Sequence, residues 1–145
     1  MLRKIFICLG IVSLLTLSGC AQMMQINNTI DSYARVANQI SLGDSKEKVL
    51  AILAPLQRDL PLRERKAPET YIKGGNTYYI YYMRSSVIND GITTDDEFTP
   101  YQFKNDKLIS IGWTALGGPK TVGHPTPIRD IQHCIPDGFG GVTCF

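Results

Sequence analysis

Six successive residues, Tyr78-Tyr79-Ile80-Tyr81-Tyr82-Met83, are all aromatic or apolar. Aromatic and β-branched side chains favour extended backbone, so the run reads as a strand. Successive strand residues point to opposite faces, which puts Tyr79, Tyr81 and Met83 on one face and Tyr78, Ile80 and Tyr82 on the other. An antiparallel sheet with one wet face alternates apolar and polar residues, and this one does not. Both faces therefore need cover. One set is expected to pack on helices. The other, Tyr78, Ile80 and Tyr82, is to be covered either by the chain's own residues 117–145 or by a partner. Tyrosine is amphipathic and common at interfaces, which makes these three the candidate partner-binding residues.

The flanking sequence supplies the rest of such a sheet. Lys73-Gly74-Gly75-Asn76 reads as a turn joining this strand to Tyr71-Ile72. Phe98-Thr99-Pro100-Tyr101-Gln102-Phe103 is a further strand, placed at an edge or only partly paired because of Pro100. Asn105-Asp106 suits a two-residue hairpin, since both residue types tolerate positive φ. It leads into Leu108–Trp113, whose alternation puts Ile109, Ile111 and Trp113 on one face. Upstream, Ile26, Ile30, Tyr33, Ala37 and Ile40 recur at helical spacing and predict a helix over 26–40. A second helix is predicted over 45–54. It opens on Asp44-Ser45-Lys46-Glu47 as a capping box, with Asp44 and Glu47 reaching for each other's backbone N–H, and Pro55 stops it. Residues 57–68 read as a connecting loop with a solvated charged run at Arg63–Lys66. Gly117-Gly118-Pro119 opens a tail without periodicity. The order predicts an α+β two-layer sandwich, two N-terminal helices packed on a small antiparallel β-sheet, with an irregular C-terminal tail.

Before these elements lies a different kind of segment. Met1-Leu2-Arg3-Lys4 is basic, and Ile5–Leu17 is almost uninterrupted apolar sequence. Thirteen helical residues rise only about 20 Å, short of the roughly 30 Å hydrocarbon core, so the segment has the length of a signal-peptide core and not of a membrane span. Beyond Gly19 the chain holds thirteen basic and thirteen acidic residues. That balance argues against a nucleic-acid binder, which carries a basic excess. The apolar run closes on Leu17-Ser18-Gly19-Cys20, which resembles the lipobox of bacterial lipoproteins. The resemblance implies cleavage between Gly19 and Cys20 and acylation of Cys20. Residues 1–19 are then a leader that carries Cys8 away, and 20–25 a lipidated tether. One acyl chain holds only reversibly, whereas several anchor stably. Ala21, not Asp, in the second mature position resembles the outer-membrane sorting pattern.

Cys134 and Cys144 remain after processing. In an oxidising compartment such a pair reads first as a disulfide across the turn-rich residues 135–143, with free thiols or metal as alternatives. His124, His133, Cys134 and Cys144 are zinc-capable types, but their spacing matches no zinc template. The chain contains no nucleophile elbow, no His-Glu-x-x-His, no phosphate loop and no cofactor motif. Asp90, Asp95, Asp96 and Glu97 read as a solvated acidic loop without calcium-loop spacing. As a carboxylate pair for hydrolysis, Asp95 and Asp96 are neighbours that point apart on an extended backbone.

Residues 40 to about 113 resemble the SmpA/OmlA (BamE-like) domain of bacterial outer-membrane lipoproteins. The residues that carry this are Ile40-Ser41-Leu42-Gly43-Asp44-Ser45-Lys46-Glu47-Lys48-Val49, Ala54-Pro55, the aromatic strand Tyr78–Tyr82 and Phe103-Lys104-Asn105-Asp106-Lys107-Leu108. Asp44 and Ala54 stand where that family usually has Met and Gly. The resemblance implies a non-catalytic interaction module. It would be lipid-anchored at the outer membrane, face the periplasm and meet barrel-assembly proteins in envelope assembly or maintenance. The alternative is a lipoprotein inhibitor or ligand binder acting on a periplasmic hydrolase through Ser85–Glu97.

Overall fold

The computed structural model describes residues 17–124, 134–136 and 142–144, with side chains over 21–124. Residues 1–16, including Cys8, lie outside the described residues, as does His133. Two helices, α1 (Leu17–Val36) and α2 (Lys46–Leu53), pack on a four-stranded antiparallel sheet. Its strands are β1 (Glu69–Lys73), β2 (Asn76–Arg84), β3 (Phe98–Lys104) and β4 (Lys107–Ile111), in the order β1-β2-β3-β4. The expected α+β sandwich is thus the observed fold. Among the described residues no helix is long and apolar enough to cross a membrane.

The helix-facing core joins Ile40, Val49, Leu53, Met83, Tyr101, Phe103 and Leu108, with Tyr33, Ile52, Tyr79 and Tyr81 packed against it. Tyr33 reaches across from α1, and its hydroxyl meets that of Tyr101 at 2.9 Å. Burial first, and then this contact, push the Tyr101 phenol well above the usual tyrosine range. The opposite face carries a second cluster of Ile80, Tyr82 and Phe98, closed by Trp113 and Leu116.

Both hairpins use the predicted turns. Gly74 and Gly75 take φ of 57° and 73°, and Asn105 and Asp106 take 46° and 63°, the left-handed pair that a two-residue turn needs to match strand twist. Five expectations are corrected. First, α1 begins at Leu17 and not Ile26, so residues 20–25 are helix and not tether. Gln22 holds its early turns down by bonding Glu64 and Arg63. Second, α2 is capped by Ser45, whose Oγ accepts from Lys48 N at 3.2 Å, and not by Asp44. Asp44 turns outward to accept from Ser41 N and Lys48 Nζ, and the Lys48 ammonium, then the Ser41 N–H, hold its carboxyl below the usual range. Third, Pro100 lies in an interior strand. It is tolerated because its N side faces the end of β4, where Gly112 N donates to Pro100 O in place of a further ladder step. Fourth, the segment 57–68 starts on the last residue of the 3-10 turn Ala54–Gln57 and holds a further one at Leu62–Glu64, and its Gln57 and Glu64 are buried.

The fifth concerns the last strand. The register passes from Gln102↔Ser110 to Phe103↔Leu108, so Ile109 is an extra residue in β4. Gly112, at φ 88°, then ends the strand. Trp113 therefore does not share a face with Ile111, the partner of Tyr101. It folds back so that its ring stacks on Tyr82, with 5.7 Å between centroids. In the tail, β5 (Cys134–Pro136) and β6 (Val142–Cys144) pair antiparallel, with Cys134 opposite Cys144. The side chains of these cysteines lie outside the described residues.

Candidate functional site

The candidate docking face divides in two. Tyr78 is half-buried and stacks on Tyr71 with 5.0 Å between parallel rings. Ile80 and Tyr82 are buried. Trp113 lies over Tyr82 and fixes itself by donating Nε1–H to Phe98 O at 2.8 Å. Lys66 Nζ lies 4.7 Å from the centre of the Tyr82 ring, and the Tyr82 hydroxyl donates to Glu69 at 2.9 Å. Burial, with the Glu69 carboxylate beside it, raises the Tyr82 phenol far above its ordinary value. Ile80 and Tyr82 are therefore covered by the chain itself. Among the described residues the cover is the turn after β4, through Trp113 and Leu116. Sequence alternation alone could not find this, because it runs Trp113 on as strand.

The acidic loop is solvated only in part, with Asp90 and Asp96 half-buried. Asp95 and Glu97 are buried, and every carboxylate in it is taken by N–H or O–H donors. Glu97 accepts from the N–H groups of Ile88 and Thr94 and from Arg84 Nη2. Thr94 and Glu97 form a reciprocal capping box at the 3-10 turn Asp95–Glu97. Asp95 accepts from Lys66 Nζ at 2.7 Å and Lys120 N at 3.0 Å, Asp96 from Thr94 Oγ1 and Gly123 N, and Asp90 from Ile92 N and His124 N. These bonds strap residues 120–124 onto the loop. Gly123 packs against Ile88, whose side chain would have to shift to admit a Cβ there. Burial raises the Asp95 carboxyl, but Lys66 and the N–H groups around it outweigh this and hold it below the ordinary value. Asp90 is held low by the N–H groups of Ile92 and His124. Among the described residues no group of His, Cys, Asp and Glu gathers as a metal site.

At the end of the sheet where β2 stops, Arg84 is buried beneath a cleft of about 650 Å³. Gln22, Met23 and Ile26 of α1 form one wall, Arg63 and Glu64 a second, and residues 87–89 and 91–93 a third. Arg84 Nη2 is shared between Glu97 at 3.1 Å and Glu64 at 3.5 Å. Burial lowers the pKa of Arg84, and the two carboxylates oppose that. Beside it Gln57 replaces a missing strand. β1 pairs with β2 only as far as Glu69↔Ile80. The Gln57 amide then donates to Tyr82 O and accepts from Arg84 N, closing the ladder with a side chain. No periodicity in the sequence marks Gln57 or Arg84.

The two sheet edges differ. The outer edge of β4 is closed by the segment before α2: Gly43 N donates to Leu108 O, Leu108 N to Asp44 O and Lys46 N to Asp106 O. Among the described residues β1 pairs only with β2, and all five of its residues are exposed. Tyr71 and Ile72 lie on it, and Tyr71 hydroxyl accepts from Gln102 Nε2 at 2.8 Å.

One family model matches the chain, over residues 11–117, and its description is "Protein of unknown function (DUF3192)". The chain belongs to the DUF3192 family. The match spans the apolar run from residue 11, both helices, the four-stranded sheet and the Trp113 turn, so this assembly is the DUF3192 unit. Neither the curated proteins nor the solved structures gave a match.

Proposed function

We propose that the chain is a lipid-anchored, periplasm-facing interaction module of the outer membrane that serves envelope assembly or maintenance by contact, without catalysis. The leader and the Leu17-Ser18-Gly19-Cys20 box support acylation at Cys20. The likeness of residues 40 to 113 to the SmpA/OmlA domain supports barrel-assembly proteins as the partner class. The observation that carries the reading is the open β1 edge, exposed at every position while the β4 edge is closed. An unpaired strand edge offers backbone donors and acceptors in a row, and native proteins usually blunt it. A partner strand adding to β1 gains main-chain bonds, while Tyr71, Ile72 and Tyr78 supply apolar contact. The cross-strand register of Cys134 and Cys144 supports a disulfide there, since directly opposite residues come near bridging distance.

The test is photocrosslinking in living cells from benzoylphenylalanine at Tyr71 or Ile72. The expected product is a barrel-assembly component. Capture of a soluble periplasmic hydrolase would favour the inhibitor reading. That reading draws no support from Ser85–Glu97, which is pinned to the body through Glu97, Asp95 and Asp96. Absence of any product from both positions contradicts docking at β1.

A further inference from the structure

α1 runs without a break from Leu17 through Cys20 into the core. Gln22, two residues after Cys20, is bonded to Glu64 and Arg63, and Ile26 is buried. An acylated Cys20 would therefore be the first residue of a helix already fixed to the folded body. Residues three and four apart share a helix face, so Met23 and Met24 lie on the Cys20 side of α1. Both are exposed. Ile92 lines the same cleft as Met23, and it is also exposed. The exposed Leu62 belongs to the 3-10 turn that carries Arg63. Four large exposed apolar side chains thus belong to the cleft end of the molecule, where α1 starts, and Arg63 lines the same cleft.

We infer that this end of the molecule, with Met23, Met24, Leu62 and Ile92, seats directly in the headgroup layer of the bilayer and fixes the domain's orientation. The inference rests on acylation of Cys20 as proposed above. Methionine side chains adapt to an irregular apolar surface, and Arg63 complements anionic phospholipid. With α1 clamped there is no slack for the body to swing away. The sheet's long axis then points off the membrane. The seven steps from Thr77 to Arg84 along β2 place the β1–β2 turn about 23 Å from the cleft end. That distance keeps the Tyr71–Tyr78 pair clear of lipid and presents the β1 edge to partners.

The test uses full-length lipidated protein in vesicles of phosphatidylethanolamine and phosphatidylglycerol. Benzoylphenylalanine is placed at Met24, Ile92 or, as the distant control, Ile72. Phospholipid adducts are counted by mass spectrometry, which also reports the state of Cys20 in the same sample. Adducts at Met24 and Ile92 are expected to exceed those at Ile72 at least about fivefold, because an interfacial surface penetrates only about 5–10 Å. Ten Gly-Ser residues inserted between Ala21 and Gln22 should release the body and bring the yields at Met24 and Ile92 down to the control. Even yields with Cys20 fully acylated overturn the seating alone. A bare Cys20 overturns the lipid reading beneath it and the seating with it.

Discussion

Arg84 is among the largest fully buried side chains, and its charge is balanced by Glu97, 0% exposed, and Glu64. Breaking a buried ion pair from one side leaves the other charge uncompensated. Glu97→Ala is therefore expected to cost about 3–5 kcal/mol in urea unfolding. It also frees the Ile88 and Thr94 N–H groups. A loss under about 1 kcal/mol would mean that Arg84 reaches solvent. Asp90 and Asp95 give the chain an acid limit. Both carboxyls are held low in the folded state, so their contribution is complete above the unfolded value of about 3.9 and is lost as pH falls through the folded values. The urea midpoint should be nearly flat from pH 7 to about 5 and fall below about 4, and Asp95→Asn should flatten that fall. A midpoint independent of pH down to 3 contradicts the clamp. These residues read from sequence only as an acidic cluster in a loop. Their burial depends on Lys66, Arg84 and residues 120–124, partners distant in the chain that no local pattern links.

At the scale of elements, sequence and structure agree where the signal is local. The Gly74-Gly75 and Asn105-Asp106 turns need positive φ, and those residue types announce it. The apolar stripe of α2 at Val49 and Leu53 is likewise visible as periodicity. The boundaries were less visible. Asp44 and Ser45 are both good caps, and which one serves is decided by tertiary contacts, since the 43–46 backbone is engaged by β4. Ser45→Ala should lower stability by about 1 kcal/mol in chemical denaturation through the lost bond to Lys48 N. A neutral outcome would return the cap to Asp44. The start of α1 is not legible in sequence because Cys20–Gln25 has little apolar periodicity, and its helix is held by Gln22 bonds to the 3-10 turn at Leu62–Glu64. The bulge at Ile109 breaks the alternation that sequence reading relies on, and Gly112 at φ 88° then turns Trp113 to the face opposite Ile111.

For the whole molecule, the aromatic run at residues 78–83 demanded cover on both faces, and the fold provides it with two helices on one side and Trp113 and Leu116 on the other. The α+β class was therefore readable from sequence, while the docking surface was not. In the reading proposed above it lies at the β1 edge and not at Ile80 and Tyr82, because cover and edge exposure are properties of the assembled sheet. The seating proposed above would turn one end toward lipid, and β1 and the turn end away from it. Both the proposed function and the seating require Cys20 as the point of membrane attachment. Intact-mass analysis of the protein purified from native membranes tests this most directly. The expected product is a chain beginning at Cys20 and carrying diacylglycerol with an N-terminal acyl group. Retention of residues 1–19, or an unmodified Cys20, would contradict it.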